Sequence, residues 1–316
     1  MEALREIKLS MNRPLISIIS VHFNGLSVTE AFIQSILRIA YAPVEIIVVD
    51  NGSLHEPIAP LIEKYPSVKF IISEENLGFA GGNNLGIKEA NGEYFLFINN
   101  DTEVPEGFLE PLVSHFIHNE RVGMASPVIK YFGTDVIQYA GSGAINHYTG
   151  RSVRKGFEEV DKGQYDYSFP TEMIHGAAVM VRRKVIEEIG MMPELFFLYY
   201  EELDWCAQAK KAGYEIWVVG QSKVFHKESM SVGRESPFKL YYMTRNRILY
   251  LRRNTRNFQK LSWILFFIFF TIPKSTLLYL VKGNVANLKS FYKGLLWHFR
   301  NNLKEAGTKR HSISNY

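Results

Sequence analysis

Apolar residues recur at two different periods along the chain and divide it into alternating elements. LISIISVH (15 to 22) is a continuous, β-branched run, and GLSVTEAFIQSILRIA then places apolar residues three and four apart, so a strand followed by a helix is predicted. VEIIVVD (44 to 50) predicts a second strand, EPIAPLIEKY a helix, VKFII a third strand, GGNNLGIKEAN a short helix and EYFLFIN a fourth strand. These strands are apolar throughout rather than alternating in polarity, which is the pattern of a mostly parallel sheet covered on both faces, an α/β fold. Further on, EELDWCAQAKKAG predicts a helix and YEIWVVGQSKVF a strand. Residues 131–171 lose the periodicity and gather Gly, Tyr and Ser, predicting a hairpin and a long loop.

In a sheet of this kind ligands bind beyond the carboxyl ends of the strands, so the polar residues just after each strand matter most. They are His22-Phe23-Asn24-Gly25, Asp50-Asn51-Gly52-Ser53 and Asn99-Asn100-Asp101. Each has a plain local explanation: Asn24 as a helix cap or turn, Asp50 to Ser53 as a tight turn, Asp101 or Thr102 as the cap of the next helix. Each also suits ligand binding, and a carboxylate flanked by amides at a strand end suits a hard divalent cation that neutralises a diphosphate. ENLGFAGGNNLGIKEA (75 to 90) brings glycines 78, 81, 82 and 86 between a strand and a helix. That is either a flexible turn or a phosphate-cradling approach in which Asn76, Gly78, Gly82 and Asn83 take part. It matches neither GxGxxG nor GxxxxGK[ST].

Composition narrows the class. The chain has 316 residues, 47% hydrophobic and 22% charged, enough for one large α/β domain with an appendage. A single cysteine, Cys206, and a charged N-terminal stretch predict a reducing, cytoplasmic setting. The charge is unevenly spread: residues 237–316 carry fifteen Lys or Arg and one acid, Glu305, whereas residues 1–236 carry twenty-one basic and thirty-one acidic residues. The basic end is therefore treated as a separate C-terminal extension, 237–316, beside a catalytic domain over 1–236.

The ordered series SIISVHFNG, IIVVDNGS, ENLGFAGGNNLGI, FLFINNDTEVPEGFLEPL, GAAVMVRR, FFLYYEELDWCAQAKKAGYEIW, VFH and YYMTRNRIL resembles the inverting glycosyltransferases of family 2, in particular their rhamnosyltransferase-like branch, over about residues 14–255. The resemblance implies a GT-A fold and transfer of a sugar, such as rhamnose or another deoxyhexose, from a nucleotide-sugar donor to a saccharide or lipid-linked saccharide in cell-surface polysaccharide synthesis. It assigns Asp50 to the nucleobase or ribose, Asn24, Asn99 and Asn100 to the donor site, and Asp101 to Mg2+ or Mn2+ at the diphosphate. His226 would lie near the metal or diphosphate. The family's catalytic base lies in an acidic pair normally written EDxD; here the residues are Glu201-Glu202-Leu203-Asp204, with Glu202 replacing the family's Asp. Glu202 is the first choice, with Glu201 and Asp204 in contention, and the three also fit acids complementing a helix N-terminus. His175 sits at an acceptor-side glycine segment. Tyr199, Tyr200 and Trp205 are either sugar-stacking or core aromatics. Loop 131–171 would face the acceptor.

LSWILFFIFFTIP (261 to 273) approaches a membrane span in apolarity, but Pro273-Lys274 is expected to interrupt it before about twenty residues. With Arg245, Arg247, Arg252, Arg253, Arg256 and Lys260 nearby, this predicts peripheral attachment to the cytoplasmic face of the cell membrane, or else a homodimer interface. No nucleic-acid motif accompanies the cations, so no nucleic-acid partner is expected. A nucleotidyltransferase making an activated sugar would need a basic glycine-rich loop after the first strand, which HFNGLSVTE lacks. A non-catalytic nucleotide-sugar-binding module is the third reading.

Overall fold

The computed structural model describes residues 13–227 and 236–301. The N-terminal stretch and the last basic residues invoked above lie outside the described residues. In chain order the elements are β1 (Ile16–His22), α1 (Leu26–Ile36), β2 (Val44–Asn51), α2 (Ala59–Lys64), β3 (Lys69–Ser73), α3 (Gly78–Glu89), β4 (Tyr94–Ile98), β5 (Thr102–Glu103), α4 (Leu109–His118), β6 (Val122–Tyr131), β7 (Ile137–Tyr139), β8 (Ser168–Pro170), β9 (Ala178–Arg182), α5 (Arg183–Ile189), α6 (Glu201–Lys211), β10 (Glu215–His226), α7 (Pro237–Asn254), α8 (Asn257–Phe266), α9 (Ile272–Val281) and α10 (Val285–Arg300). One sheet runs in the order β3-β2-β1-β4-β9-β6-β10-β5.

The predicted βα alternation builds the parallel portion, β3-β2-β1-β4, with Ile18 opposite Ile46 and Leu96. Beyond it, β9 lies antiparallel to both β4 and β6, and β10 returns parallel to β6, so the sheet is mixed. Successive residues face opposite sides, as strand geometry requires. Ile18, Val48 and Leu96 enter one buried cluster with Phe32 and Leu112, while Ile19, Val49, Phe95 and Phe97 enter another with Trp205 and Cys206. Burial of each such side chain contributes about 1.5–3 kcal/mol, which explains the unbroken apolar runs. Residues 131–171 form β7, β8 and isolated bridges, close to the predicted hairpin and loop.

Glycines of α3 set how close this helix comes to the sheet. A Cβ at Gly82 would meet Val21 at 2.9 Å, and one at Gly86 would meet Ile19 at 2.5 Å. These two glycines pack a helix on strands rather than approach a ligand.

A third cluster joins residues 195–200 to α7, α8 and α10 through Phe196, Tyr242, Leu249, Trp263 and Phe291. Pro273 does not interrupt the apolar run, contrary to expectation. A π turn at Phe267–Thr271 precedes it, Pro273 falls in the first turn of α9, and the helical path continues over Asn257–Val281, 25 residues long and mostly unburied. By length and composition this helix could cross a membrane.

Replacing Gly86 by Ala is expected to lower stability by about 1–3 kcal/mol through the clash with Ile19. Chemical denaturation checks this.

Candidate active site

Three of the polar strand tips meet at one edge of the sheet. They border a cleft of about 590 Å³ lined by residues that include Asn51, Asn76, Asn99, Asp101, His226 and Glu202, within the usual range of about 300–1,000 Å³ for small-molecule sites. Gly78, Asn100 and Glu201 also line it.

Asp101 and His226, far apart in sequence, are brought together because β5 pairs with the end of β10, setting Thr102 opposite His226. His226 Nε2 lies 3.0 Å from Asp101 Oδ1. Its Nδ1 is 2.8 Å from Gln138 Oε1, which fixes the ring. The proton on Nδ1 donates to Gln138, so a neutral ring turns an Nε2 lone pair toward Asp101. Asp101 Oδ1 is buried and has no hydrogen bond. An orphaned carboxylate oxygen beside an imidazole lone pair, among amide groups, fits a hard divalent cation that completes its shell with donor phosphates. Among the described residues no cluster of three or more His, Cys, Asp or Glu side chains could do this alone.

The neighbouring amides hold the loops. Asn100 Nδ2 donates to Thr29 Oγ1 at 2.8 Å, and Thr29 Oγ1 lies 2.7 Å from His22 Nδ1. His22 Nε2 donates to Glu56 O at 2.8 Å, so the strand-tip histidine is structural. Asn99 Nδ2 is 3.4 Å from His226 Nε2. Asn51 Nδ2 donates to Asn76 Oδ1 and Gly78 O, and Asn51 Oδ1 accepts from Leu77 N–H, which ties the β2 tip to the glycine loop.

Several expected residues do not line this cleft. Asp50 is buried, and its two oxygens accept the N–H groups of Ser53 and Ile58, as the turn reading anticipated. Asn24 Oδ1 accepts from the His55 and Glu56 N–H groups. Asn83 Nδ2 donates back to Phe79 O, and Gly82 packs on Val21. Asp204 is fully buried in a salt bridge with Arg253 at 3.0 Å and accepts from Asn254, which satisfies its charge away from the cleft. Trp205 belongs to the core and donates to Gly190 O. Tyr200 is buried, while Tyr199 does line the cleft.

Glu201 and Glu202 begin α6 and project into the cleft. Burial pushes Glu202 up to about 7, against the pull of the Tyr200, Glu202 and Leu203 N–H groups. Burial and then the Glu202 charge hold Glu201 well above the usual carboxylate range. The chain reaches this helix through an irregular approach in which Phe197, Tyr199 and Tyr200 all have positive φ (65°, 67° and 76°). Such a conformation costs a non-glycine residue about 1–3 kcal/mol. His175, which lines the cleft with its ring centroid 6.0 Å from that of His226, accepts the Ala177 N–H at Nδ1 and is pushed down to about 3, first by burial and then by His226. A neutral ring there carries its proton on Nε2. On the buried face of α6, burial pushes the Cys206 thiol up to about 12.

Sequence reasoning passed over Asn51, Gln138 and Lys239, all of which line the cleft. Asn51 stood beside the more conspicuous Asp50. Gln138 lies in the irregular segment, and Lys239 was grouped with the basic extension. The same grouping misplaced Arg245, which is fully buried, while Arg252 contacts His298 and Arg253 is held by Asp204.

Residues 17–190 match Glycosyl transferase family 2, and the chain belongs to that family. It is 30% identical over 214 residues to a low-salt glycan biosynthesis hexosyltransferase of Haloferax volcanii, covering 65% of this chain and 66% of that one. It is 28% identical over 227 residues to a dTDP-rhamnosyl transferase of Shigella flexneri, covering 66% and 71%. Among solved structures, a mannosyltransferase of Pyrobaculum calidifontis in complex with GDP-Man and Mn2+ superposes with a TM-score of 0.55 at 16% identity, over 93% of this chain and 78% of the other. GalNAc-T7 with UDP, GalNAc and Mn2+ gives 0.61 at 17% identity, over 76% of this chain and 48% of that one. The GT-A architecture expected from the sequence is thereby shown.

Because the folded carboxyl of Glu202 titrates near 7 and an unfolded one near 4.5, the unfolded chain ionises first as pH rises. Stability should therefore fall as pH rises from about 4.5 through 7, with Glu201, whose carboxyl is also raised, adding a fall of the same sign. Glu202→Gln should make the fall between about pH 4.5 and 7 shallower in urea titrations at several pH values.

Proposed function

We propose that this chain is an inverting glycosyltransferase that moves a hexosyl or deoxyhexosyl group from a nucleoside diphosphate sugar to a saccharide or lipid-linked saccharide. The observation that carries the reading is the shared cleft, in which the Asp101–His226 pair and the acids at the start of α6 border one space. Family membership and relatives named as hexosyl and rhamnosyl transferases support it.

Glu202 is the base. It is half-buried and open to the cleft, and with a carboxyl near 7 it is substantially ionised at neutral pH. Glu201 is buried more deeply, and burial together with the Glu202 charge disfavours its ionised form. The Glu202 carboxylate takes the proton of the acceptor hydroxyl as that oxygen bonds to the anomeric carbon. The bond from the same carbon to the diphosphate oxygen breaks, and the nucleoside diphosphate leaves with the electron pair. Asp101 and His226 would hold Mg2+ or Mn2+, which when bound neutralises the diphosphate. Asn51 and Asn76 keep the glycine loop in place on the donor side, and Lys239 adds a cation to the cleft beside the Tyr199 ring.

The Asn257–Val281 helix is assigned to the surface of an anionic, cytoplasmic-side bilayer. Phe269, Phe270 and Val281 are 66%, 64% and 78% exposed. Arg256, Lys260, Lys274 and Lys282 are exposed beside them. The segment that follows favours lying over crossing: α10 packs back along α7, with Gly294 against Tyr241 O, and Thr276 is hydrogen-bonded to Tyr292.

Purified protein screened against nucleotide sugars, with membrane lipid extract as acceptor, should release nucleoside diphosphate. Glu202→Gln is expected to lower kcat by about 10²–10⁴-fold, and full activity would remove Glu202 from this role. Asp101→Ala should make nucleoside diphosphate binding insensitive to Mn2+ in calorimetry; a metal response like that of the wild type would argue against its role. Phe269→Ser with Phe270→Ser should reduce co-sedimentation with phosphatidylglycerol vesicles, and equal co-sedimentation would count against the lipid-facing surface.

A further inference from the structure

Arg245 and Asn246 come from the YYMTRNRIL stretch and do not line the cleft, yet both are fully buried. Buried guanidinium and amide donors are costly unless they meet acceptors. Arg245 Nη1 has no hydrogen bond, but Arg245 Nη2 and the Asn246 amide converge on the main chain of one short segment. Arg245 Nη2 donates to Leu195 O and Phe196 O, both at 2.7 Å. Asn246 Nδ2 donates to Phe196 O at 2.9 Å and to Leu198 O and Tyr199 O at 2.7 Å. Arg245 Nε donates to Asn246 Oδ1 at 2.7 Å, so the two side chains act as a unit.

The segment they grip is the left-handed approach to α6, whose residues Phe197, Tyr199 and Tyr200 have positive φ. Left alone, these residues would relax toward ordinary backbone angles and rotate the first turn of the helix. On its other side the same stretch is held by α3: Phe79 N–H donates to Phe197 O at 2.7 Å, and Asn84 Nδ2 donates to Met192 O at 2.9 Å. The backbone from 192 to 200 thus runs from the donor-side helix to the acids and is fixed at both ends. The Arg245 guanidinium lies 5.0 Å from the Tyr242 ring centroid and 4.8 Å from that of Trp297, surroundings that an apolar side chain could also fill. Packing alone therefore does not account for an arginine; the carbonyl groups do.

The geometry points to Arg245 and Asn246 as positioning residues that hold the strained 195–200 backbone so that Glu201 and Glu202 enter the cleft. This rests on the transferase reading of those acids. The pair touches neither donor nor acceptor, and its action is on the placement of the carboxylates.

Arg245→Lys and Asn246→Ala in the full chain test this by hydrogen exchange and by turnover of the nucleotide sugar that the wild type uses. Exchange of the amides from 197 to 204 should quicken at least tenfold while β4 stays protected, and kcat should fall at least tenfold with the donor KM within twofold. Should Asn246→Ala fail to fold, Arg245→Lys, which keeps the charge and most of the volume, is read alone. Unchanged protection at 197–204, equal loss of protection across β4, or local loosening with unchanged kcat would each overturn the assignment. Exchange needs no turnover, so it stands apart from the base assignment. Glu202→Gln is measured beside these variants, and an active Glu202→Gln would refute Glu202 as base without touching the exchange result.

Discussion

Main-chain N–H and C=O groups released where a buried strand or a left-handed loop breaks off have to find partners, and around this cleft asparagine side chains supply many of them. Asn24 takes two N–H groups of the 50–58 loop, and Asn51 binds Leu77 N–H and Gly78 O. Asn84 closes a pair of bonds with Met192, and Asn246 takes three carbonyls at once. A primary amide offers two N–H donors and an accepting oxygen together, whereas an ionised carboxylate has no donor and a hydroxyl only one. The loops at the sheet edge therefore keep definite shapes although few of their residues belong to regular elements.

This arrangement makes the cleft a composite of three sequence regions that share backbone contacts. The glycine loop leans on the β2 tip through Asn51 and on the acid-bearing approach through Phe79 N–H and Phe197 O. Gly78 is the point of closest approach: with φ of 74°, its missing Cβ would lie 2.2 Å from Phe197 O. A side chain there would force apart the donor-side and acid-side walls.

Much of the fold was legible because its signal is local. Continuous apolar runs revealed the strands, and their polar ends pointed to the right edge of the sheet. Long-range pairings had no such signal. The antiparallel β9 was visible as the motif GAAVMVRR but not as the strand that divides the two parallel portions. The Asp101–His226 pairing depends on β5 meeting β10, 127 residues separating Asn99 from its contact with His226. Charge misled in two ways: Arg245 is enclosed by aromatic rings and carbonyls, and Arg253, though exposed, neutralises the buried Asp204. Pro273 misled because it falls in the first turn of α9, directly after the π turn, where a missing N–H and a fixed φ are tolerated.

The lone thiol, Cys206, is wholly enclosed on the buried face of the acid-bearing helix and its ionisation is strongly suppressed. Maleimides and iodoacetamides react with the thiolate, so the native chain is chemically silent toward them. A single cysteine introduced at the rim of the cleft would then carry a fluorophore or spin label without any background substitution, leaving the packing around the helix untouched.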